Sequence, residues 1–262
     1  MILENKVAVV TGGVQGIGRG VCARLARDGA RIAVLDLQPA TETVAELTAA
    51  GAEARALTAD VSDPDSVAAA FEEIDRTLGP PSILANVAGV FADVPFLETS
   101  VELWDRIMSV NARGTFLCSQ AAATRMRERG EGRIVNILST AAAQAFALES
   151  AYCASKGAAL LLTRVMAVEL AQYGITVNGV GPGTVRTEMG SAYLGGGPIA
   201  THELSRTPLQ RFGEPADIAE AVAFFASTAR WVTGQVLYVD GGFMATGLPV
   251  LDGLQAAGGA VS

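Results

Sequence analysis

The sequence predicts a single α/β domain built on an open parallel sheet. Seven short apolar runs alternate with stretches of helical periodicity, an order typical of parallel strands joined by crossover helices. Glycine or a polar residue follows five of these runs directly, and open parallel sheets bind ligands beyond the carboxyl ends of their strands. The 262 residues, half of them apolar, suffice for one large core, and no linker or internal repeat divides them.

The first half of the chain reads as four strands with helices between them. Asp63 and Pro64 provide a cap and a first residue for the third helix. The predicted strands are Val7 to Val10, Arg31 to Leu35, Ala54 to Thr58 and Ser82 to Ala85, and the first two helices are Arg19 to Asp28 and Ala40 to Ala50.

The second half continues the alternation with longer helices. Asn111 falls in the middle of the first of them, where Asn is a mediocre helix former, so it is either an incidental surface residue or the site of a functional bend. The predicted helices are Val101 to Arg129, the apolar run Ala158 to Leu170 that the stretch Ser150 to Lys156 opens, and Pro215 to Ser227, and the predicted strands are Arg133 to Leu138, Ile175 to Val180 and Gln235 to Val239.

A glycine-rich turn joins the first strand to the first helix, with the sequence Thr-Gly-Gly-Val-Gln-Gly-Ile-Gly over residues 11–18. Its glycines let the backbone approach a pyrophosphate, which the free N–H groups of the helix terminus then face. Asp36, which ends the second strand, lies where a dinucleotide-binding fold hydrogen bonds the adenosine ribose. No Arg or Lys stands at Gly13, Leu37 or Gln38 to accept the 2′-phosphate of NADP, so the sequence favours NAD.

Tyr152 and Lys156 are four residues apart and share one face of a predicted helix. An ammonium group beside a phenol favours the phenolate and lowers its pKa. The pair could therefore exchange a proton with an alcohol or a carbonyl.

Composition argues against several other classes of protein. The net charge is −8 and no Lys/Arg cluster stands out, which argues against a nucleic-acid partner. His202 is the single histidine, and the three isolated cysteines lack ligand spacing, so we expect no metal site. The cysteine pattern fits a reducing cytoplasm, and we expect neither a signal peptide nor a membrane-spanning segment.

Taken together, these motifs resemble those of the classical short-chain dehydrogenase/reductase family over about residues 5 to 243. Asn111, Ser139, Tyr152 and Lys156 fall at the positions of its catalytic tetrad. The remaining motifs are the glycine turn, the adenine-contact pair Asp60-Val61, the Asn-Asn-Ala-Gly motif as Asn86-Val87-Ala88-Gly89, and the nicotinamide-contact turn from Pro182-Gly183 to Thr187.

The resemblance implies a Rossmann-type, doubly wound, seven-stranded parallel sheet in three αβα layers, with residues 1–246 as one domain. Within it, about residues 187–210 are expected to form a substrate lid, and the packing of the tail 247–262 stays open. The implied cofactor contacts are Gly12, Gln15, Gly16, Ile17, Gly18, Asp36, Leu37, Asp60, Val61, Asn86, Ala88, Gly89, Tyr152, Lys156, Pro182, Gly183, Val185 and Thr187.

The implied activity is the interconversion of a secondary alcohol and a ketone with NAD, NADP being the less favoured cofactor. Tyr152 would act as general acid or base, Lys156 would lower the Tyr152 pKa and hold the nicotinamide ribose, Ser139 would stabilise the substrate oxygen, and Asn111 would hold a water. The family also implies a homotetramer, assembled through the helices that carry Tyr152 and Asn111.

The substrate pocket is expected to be mostly apolar and to favour a hydrophobic or ring-bearing substrate, although Glu149 could bind a polyol hydroxyl. By position, the candidate lining residues are Phe91, Ala92, Val94, Gln144, Phe146, Glu149, Met189 and Tyr193.

Two other functions stay open. One is reduction of a 3-oxoacyl thioester held on an acidic carrier protein, which usually uses NADPH. Asp36 argues against it, as does Tyr173, which stands where carrier-protein reductases tend to have a basic residue. The other is an NAD-binding sensor without turnover, against which the intact tetrad argues.

Overall fold

Seven strands form one sheet in which every neighbouring pair is parallel. The computed structural model describes residues 2–195 and 197–246, without the side chains of Ala192, Tyr193 and Ile199, so the predicted tail 247–262 lies outside the described residues. The strands are β1 Val7–Thr11, β2 Arg31–Asp36, β3 Ala54–Thr58, β4 Ile83–Asn86, β5 Gly132–Ile137, β6 Ile175–Pro182 and β7 Val236–Val239. Their order, β3-β2-β1-β4-β5-β6-β7, confirms the predicted doubly wound fold.

Helices cover both faces of the sheet, so each face has its own apolar core. Neighbouring residues of β1 point to opposite faces, with Val10 in the core that contains Phe225 and Val9 in the core that contains Phe71. The helices are α1 Gly16–Arg27, α2 Thr41–Ala49, α3 Pro64–Thr77, α4 Val101–Met108, α5 Gly114–Arg129, α6 Ser150–Leu170, α7 Ser191–Leu194, α8 Pro198–Ser205 and α9 Pro215–Ser227.

The strand order reverses between β1 and β4, which lie side by side in the sheet. The chain first winds outward from β1 to β3 and then returns to build β4 to β7 on the other side. The connections that leave the carboxyl ends of β1 and β4 therefore diverge, and the crevice between them is where folds of this kind bind ligands.

Most predicted element boundaries agree with the structure to within one or two residues. The N-terminus of α3 is as predicted, since the Asp63 carboxylate accepts a hydrogen bond from the backbone N–H of Asp65 at 3.2 Å. The start of α1 was predicted too late: the helix begins at Gly16 rather than Arg19. The glycines of the turn are thus partly inside the first turn of the helix.

The predicted helix from Val101 to Arg129 contains a π-helical segment, Ser109–Arg113, between α4 and α5. Asn111 is the buried residue of this segment, so it marks an irregularity in the helix and is not a surface residue. A π turn contains one residue more than an α turn needs, and such segments occur often at functional sites.

Helix α6 and the short turn after it, Ser150–Tyr173, form the one segment in the described part of the chain with the length and composition of a membrane span. Its mean hydropathy of 1.2 is weak evidence, because core helices pass the same test. Here the helix packs against β6, and Ala159 and Ala167 on it are buried in the core.

Candidate active site

A cavity of about 670 Å³ opens at the carboxyl ends of the strands, where the sequence predicts a ligand. It brings together residues from both halves of the chain that are far apart in sequence. Of the predicted cofactor and catalytic residues, those that line it are Gly12, Gln15, Gly16, Ile17, Gly18, Asp36, Leu37, Asp60, Val61, Ala88, Gly89, Ser139, Tyr152, Lys156, Pro182, Gly183, Val185 and Thr187.

The backbone of the glycine turn is so tightly folded that side chains would not fit at its glycine positions. A Cβ on Gly18 would lie 1.9 Å from the carbonyl oxygen of Gly12, and Gly16 has a φ of +51°. Gln15 is the N-cap residue of α1, and its side chain makes no hydrogen bond to the helix. The first backbone N–H groups of α1 are therefore not capped by this side chain. A turn of this shape fits the pyrophosphate of a nicotinamide dinucleotide.

Asp36 is held at the end of β2 with its carboxylate at the cavity wall. Its two oxygens accept backbone N–H groups of Val14, at 3.1 Å, and Gln38, at 3.0 Å. These bonds fix the carboxylate where the adenosine ribose of the cofactor is expected. The cavity therefore combines a glycine turn open to an anion with a fixed carboxylate that can accept hydroxyl groups.

The loop after β4 is held against β1 by Thr11, whose Oγ1 accepts the backbone N–H groups of Val87 and Ala88 at 3.0 and 3.1 Å. Asp60 stabilises the neighbouring turn by accepting the N–H and hydroxyl of Ser62. These bonds order two of the loops that line the cavity.

Asn86 is not among the residues that line the cavity, so its contact with the cofactor stays a prediction. Its side chain is buried in the sheet, where Nδ2 donates to Ser119 Oγ at 2.9 Å and to Asn136 Oδ1 at 2.8 Å. The reason is strand geometry: Asn86 is the last residue of β4 and points to the α5 face, as Leu84 does. Asn86 supports the sheet beneath the site.

Asn111 is also absent from the cavity wall, although it lies close behind it. Its Oδ1 accepts the N–H of Val90 at 2.8 Å, and its Nδ2 donates to the Val90 carbonyl at 2.9 Å and to Ser155 Oγ at 3.0 Å. Its own carbonyl accepts the Thr115 hydroxyl at 2.7 Å. Asn111 therefore ties the loop after β4 to α6.

Ser139, Tyr152 and Lys156 meet at the carboxyl end of β5. Burial raises the pKa of Tyr152 to about 12, and a hydrogen bond with the Ser139 side chain opposes that rise. Burial also lowers the pKa of Lys156 to about 8.

The expected lowering of the Tyr152 pKa by Lys156 is not seen, because burial of the phenol dominates. Lys156 Nζ donates to the Ile137 carbonyl at 2.9 Å and lies 5.6 Å from the centre of the Tyr152 ring. The ammonium group thus lies near the ring, and its hydrogen bond goes to the end of β5. In this geometry the Tyr152 phenol is uncharged at neutral pH.

The substrate end of the cavity agrees in part with the prediction. Phe91, Phe146, Glu149 and Met189 line it, whereas Val94 and Gln144 do not, and the side chain of Tyr193 lies outside the described residues. The Val94 backbone instead forms a β-bridge with Glu149, which holds it outside the wall.

The sequence did not identify four further charged or aromatic residues of the wall. Arg106 comes from α4, Glu188 from the predicted lid, Glu203 from α8, and Phe243 from the turn after β7. Phe243 lies just beyond Asp240-Gly241-Gly242, which follow the last strand, and its ring stacks on Phe146 with the centres 6.0 Å apart.

Comparison with known proteins gives one consistent group of relatives. The sequence profile of a family described as Enoyl-(Acyl carrier protein) reductase matches residues 12–244. The chain is 41% identical to 2-(S)-hydroxypropyl-CoM dehydrogenase 3 of Xanthobacter autotrophicus, over 93% of this chain and 98% of that protein. It is 36% identical to a 3-oxoacyl-[acyl-carrier-protein] reductase of Staphylococcus epidermidis, over 91% and 98%.

Among solved structures, a candidate NAD(P)-dependent gluconate 5-dehydrogenase from Beutenbergia cavernae superposes with a TM-score of 0.89 at 36% identity. The superposition covers 93% of this chain and 98% of that one, which was solved with NADP bound at low occupancy. The likeness therefore extends over the whole sheet and the cavity.

Proposed function

This chain belongs to the classical short-chain dehydrogenase/reductase family, and from that premise we propose that it oxidises a secondary alcohol to a ketone with NAD, using Tyr152 as general acid and base. Its relatives act on CH–OH groups or the corresponding carbonyls, so the chain is an oxidoreductase of that kind. The observation that carries the proposal is the meeting of Tyr152, Ser139 and Lys156 in a cavity with a glycine-lined anion site.

NAD is the proposed cofactor because Asp36 is fixed at the ribose position by two backbone N–H groups. A carboxylate there accepts ribose hydroxyls and repels a 2′-phosphate. The neighbouring residues Leu37 and Gln38, which also line the cavity, carry no positive charge. A nicotinamide bound here would supply the hydride acceptor for the alcohol carbon, and the protein would position the two reactants.

Tyr152 moves the proton in this scheme. During reduction its phenol donates a proton to the ketone oxygen, and during oxidation its oxygen accepts the proton of the alcohol. The Ser139 hydroxyl, which hydrogen bonds to Tyr152, also donates to the substrate oxygen and stabilises the charge that develops there. Oxidation requires the phenolate form of Tyr152, and the positive charge of the Lys156 ammonium favours that form.

Asn111 contributes by position in this proposal. Its amide connects Val90 on one side of the cavity with Ser155 on α6, one residue before Lys156. The contact holds the loop that carries Phe91 against Tyr152, whose rings pack edge to face with centres 4.9 Å apart.

A 3-oxoacyl-thioester reductase is the second candidate, favoured by the 36% identity with the carrier-protein reductase. Two features oppose it. Asp36 disfavours NADPH, and Glu149 and Glu203 place negative charge at the cavity to which an acidic carrier protein would deliver its substrate.

We also propose that the chain forms a homotetramer in the cytoplasm and that residues 187–210 act as a lid. Large apolar side chains are exposed on α5 and α6, notably Phe116, Leu161 and Val168, as an interface requires. Sedimentation analysis tests the assembly, and a monomer would contradict it. Within the lid, Glu203 accepts the Thr184 hydroxyl at 3.0 Å, which couples α8 to the exit of β6.

The test is oxidation of a panel of secondary alcohols, polyols and 3-hydroxyacyl thioesters, with NAD and NADP in parallel. We expect turnover with NAD on an alcohol and loss of at least roughly 1,000-fold in Tyr152→Phe, which removes the proton carrier. Preference for NADP and a thioester would replace the proposal with the second candidate. Tight NAD binding without turnover on any substrate would favour an NAD sensor.

A further inference from the structure

The substrate end of the cavity combines aromatic rings with carboxylates. Phe91 packs against Tyr152, and Phe146 stacks on Phe243 behind it. Glu149, half-buried at the N-cap of α6, and Glu203 also line this wall. An apolar wall alone would suit many substrates, so the carboxylates carry the information about which substrate fits.

Glu149 is within electrostatic reach of both Tyr152 and two other acids. Burial is the main cause that raises the pKa of Glu149 to about 7, and the charges of Asp93 and Glu203 add to it; Glu149 in turn adds to the rise in the pKa of Tyr152. Within the described part of the chain, the Glu149 carboxylate has no hydrogen-bond or ion-pair partner. Among the described residues, no group of three or more acids, histidines or cysteines is placed to hold a metal ion.

Positive charge at this end is already committed or lies elsewhere. Among the described lining residues the bases are Lys156, which donates to the Ile137 carbonyl, and Arg106. Arg106 comes from α4 and is not among the charged groups that shift the pKa of Glu149. Arg206 rests on the Phe243 ring at 4.4 Å but is not part of the wall.

We propose that Glu149 determines specificity by binding an ammonium group next to the reacting CH–OH, so that the substrate is an amino alcohol with an apolar remainder packed on Phe91 and Phe146. The proposal rests on the proposed function, since it places that substrate at Tyr152. A cation relieves the repulsion among Glu149, Asp93 and Glu203, whereas a neutral hydroxyl gains one hydrogen bond and a carboxylate adds a further negative charge.

The test uses four alcohols that differ in one group beside a phenyl carbinol. They are 2-amino-1-phenylethanol, 1-phenylethane-1,2-diol, 1-phenylpropan-1-ol and mandelate, which are cationic, hydroxylated, apolar and anionic at that group. We expect kcat/KM to fall in that order, with the amine ahead of the diol by roughly tenfold or more at pH 8. The trimethylammonium analogue, whose charge does not titrate, serves as a check on the amine.

The pH dependence of the amine-to-diol ratio distinguishes charge recognition from shape. Because the pKa of Glu149 is about 7, the ratio should fall towards 1 at pH 6, where its carboxyl is protonated. Tyr152 serves both substrates, so its titration cancels in the ratio. In Glu149→Gln the ratio should stay near 1 at both pH values and mandelate should improve, while Glu72→Gln, on the exposed face of α3, should behave as wild type.

Preference for the diol or mandelate, or a ratio unchanged by Glu149→Gln, would overturn the proposal. If Glu149→Gln does not fold, the pH dependence of the wild-type ratio decides alone. If no alcohol of any panel is oxidised, the proposed function fails, and calorimetric titration of the amine and of mandelate into the protein with NAD then tests charge selection by itself. Tighter binding of the amine supports it, and binding of neither, or tighter binding of mandelate, overturns it.

Discussion

Replacing Lys156 with Met measures what it costs to hold a buried ammonium beside Tyr152. The side chain is 5% exposed, and burial lowers its pKa from 10.5 to about 8. One pKa unit corresponds to about 1.4 kcal/mol, so the charged form destabilises the fold by roughly 3 kcal/mol at pH 7. Met removes this cost together with the hydrogen bond to Ile137, which contributes about 1 kcal/mol, so we expect a net gain of roughly 2 kcal/mol.

The pH dependence of this effect has a definite sign. Below about pH 8 both the folded and the unfolded state hold the Lys156 proton, and the full cost is present. Between about pH 8 and about pH 10.4 the folded state has released the proton while the unfolded state keeps it, so this contribution raises the wild-type free energy of unfolding as pH rises. The advantage of Lys156→Met over wild type should therefore shrink across that window.

Urea denaturation followed by circular dichroism, at pH 7 to 9.5, measures this difference between the two proteins. The buried thiols and Tyr152 also titrate at alkaline pH, but they are present in both proteins and largely cancel. Lys6→Met, which removes a partly exposed ion pair with Glu131, should keep the wild-type pH slope. A stability difference that does not change with pH would refute the reasoning, even though the variant would still lose oxidation activity.

Three further predictions concern the cofactor site and its support. Asp36→Ala should lower the NAD-to-NADP ratio of kcat/KM by roughly tenfold, since one charge-assisted contact is lost, and an unchanged ratio would contradict the assignment. Gly18→Ala should weaken NAD binding in calorimetry by at least roughly tenfold while the circular dichroism spectrum stays native, because its Cβ would strike the Gly12 carbonyl 1.9 Å away. Asn86→Ala should lower the free energy of unfolding by roughly 2–4 kcal/mol with an unchanged KM for NAD, and a raised KM at native stability would restore its predicted cofactor role.

The sheet could be predicted almost entirely because its five central strands are buried on both faces. Such strands are mostly apolar runs, and the glycine or polar residue that follows five of the seven runs marks the edge where ligands bind. The start of α1 was harder to predict from the sequence, because glycine has low helix propensity, yet Gly16 lies inside the helix. At this position the close packing of the turn determines where the helix begins, and a helix-propensity scale does not include such packing.

In the candidate site, the sequence predicted residues whose relative positions follow from local spacing or from a motif. It missed several residues whose positions depend only on tertiary packing. Tyr152 and Lys156 share a helix face, and their four-residue spacing in the sequence is enough to predict this. The Asn86 side chain can point to either face of β4, and the sequence motif does not indicate which face it is. Glu203 and Phe243 reach the wall from segments whose placement depends on contacts across the whole molecule.

The π segment at Asn111 fixes the rotational phase of everything before it in the same helical run. Each residue of an α-helix turns the chain by about 100°, so deleting Ala112 would restore regular helix and rotate α4 by that angle relative to α5. Arg106 on α4 would then leave the cavity wall although no residue near it had been substituted. Deletions and insertions in Ser109–Arg113 are thus a route by which this fold could reshape one wall of its cavity while the sheet stays the same.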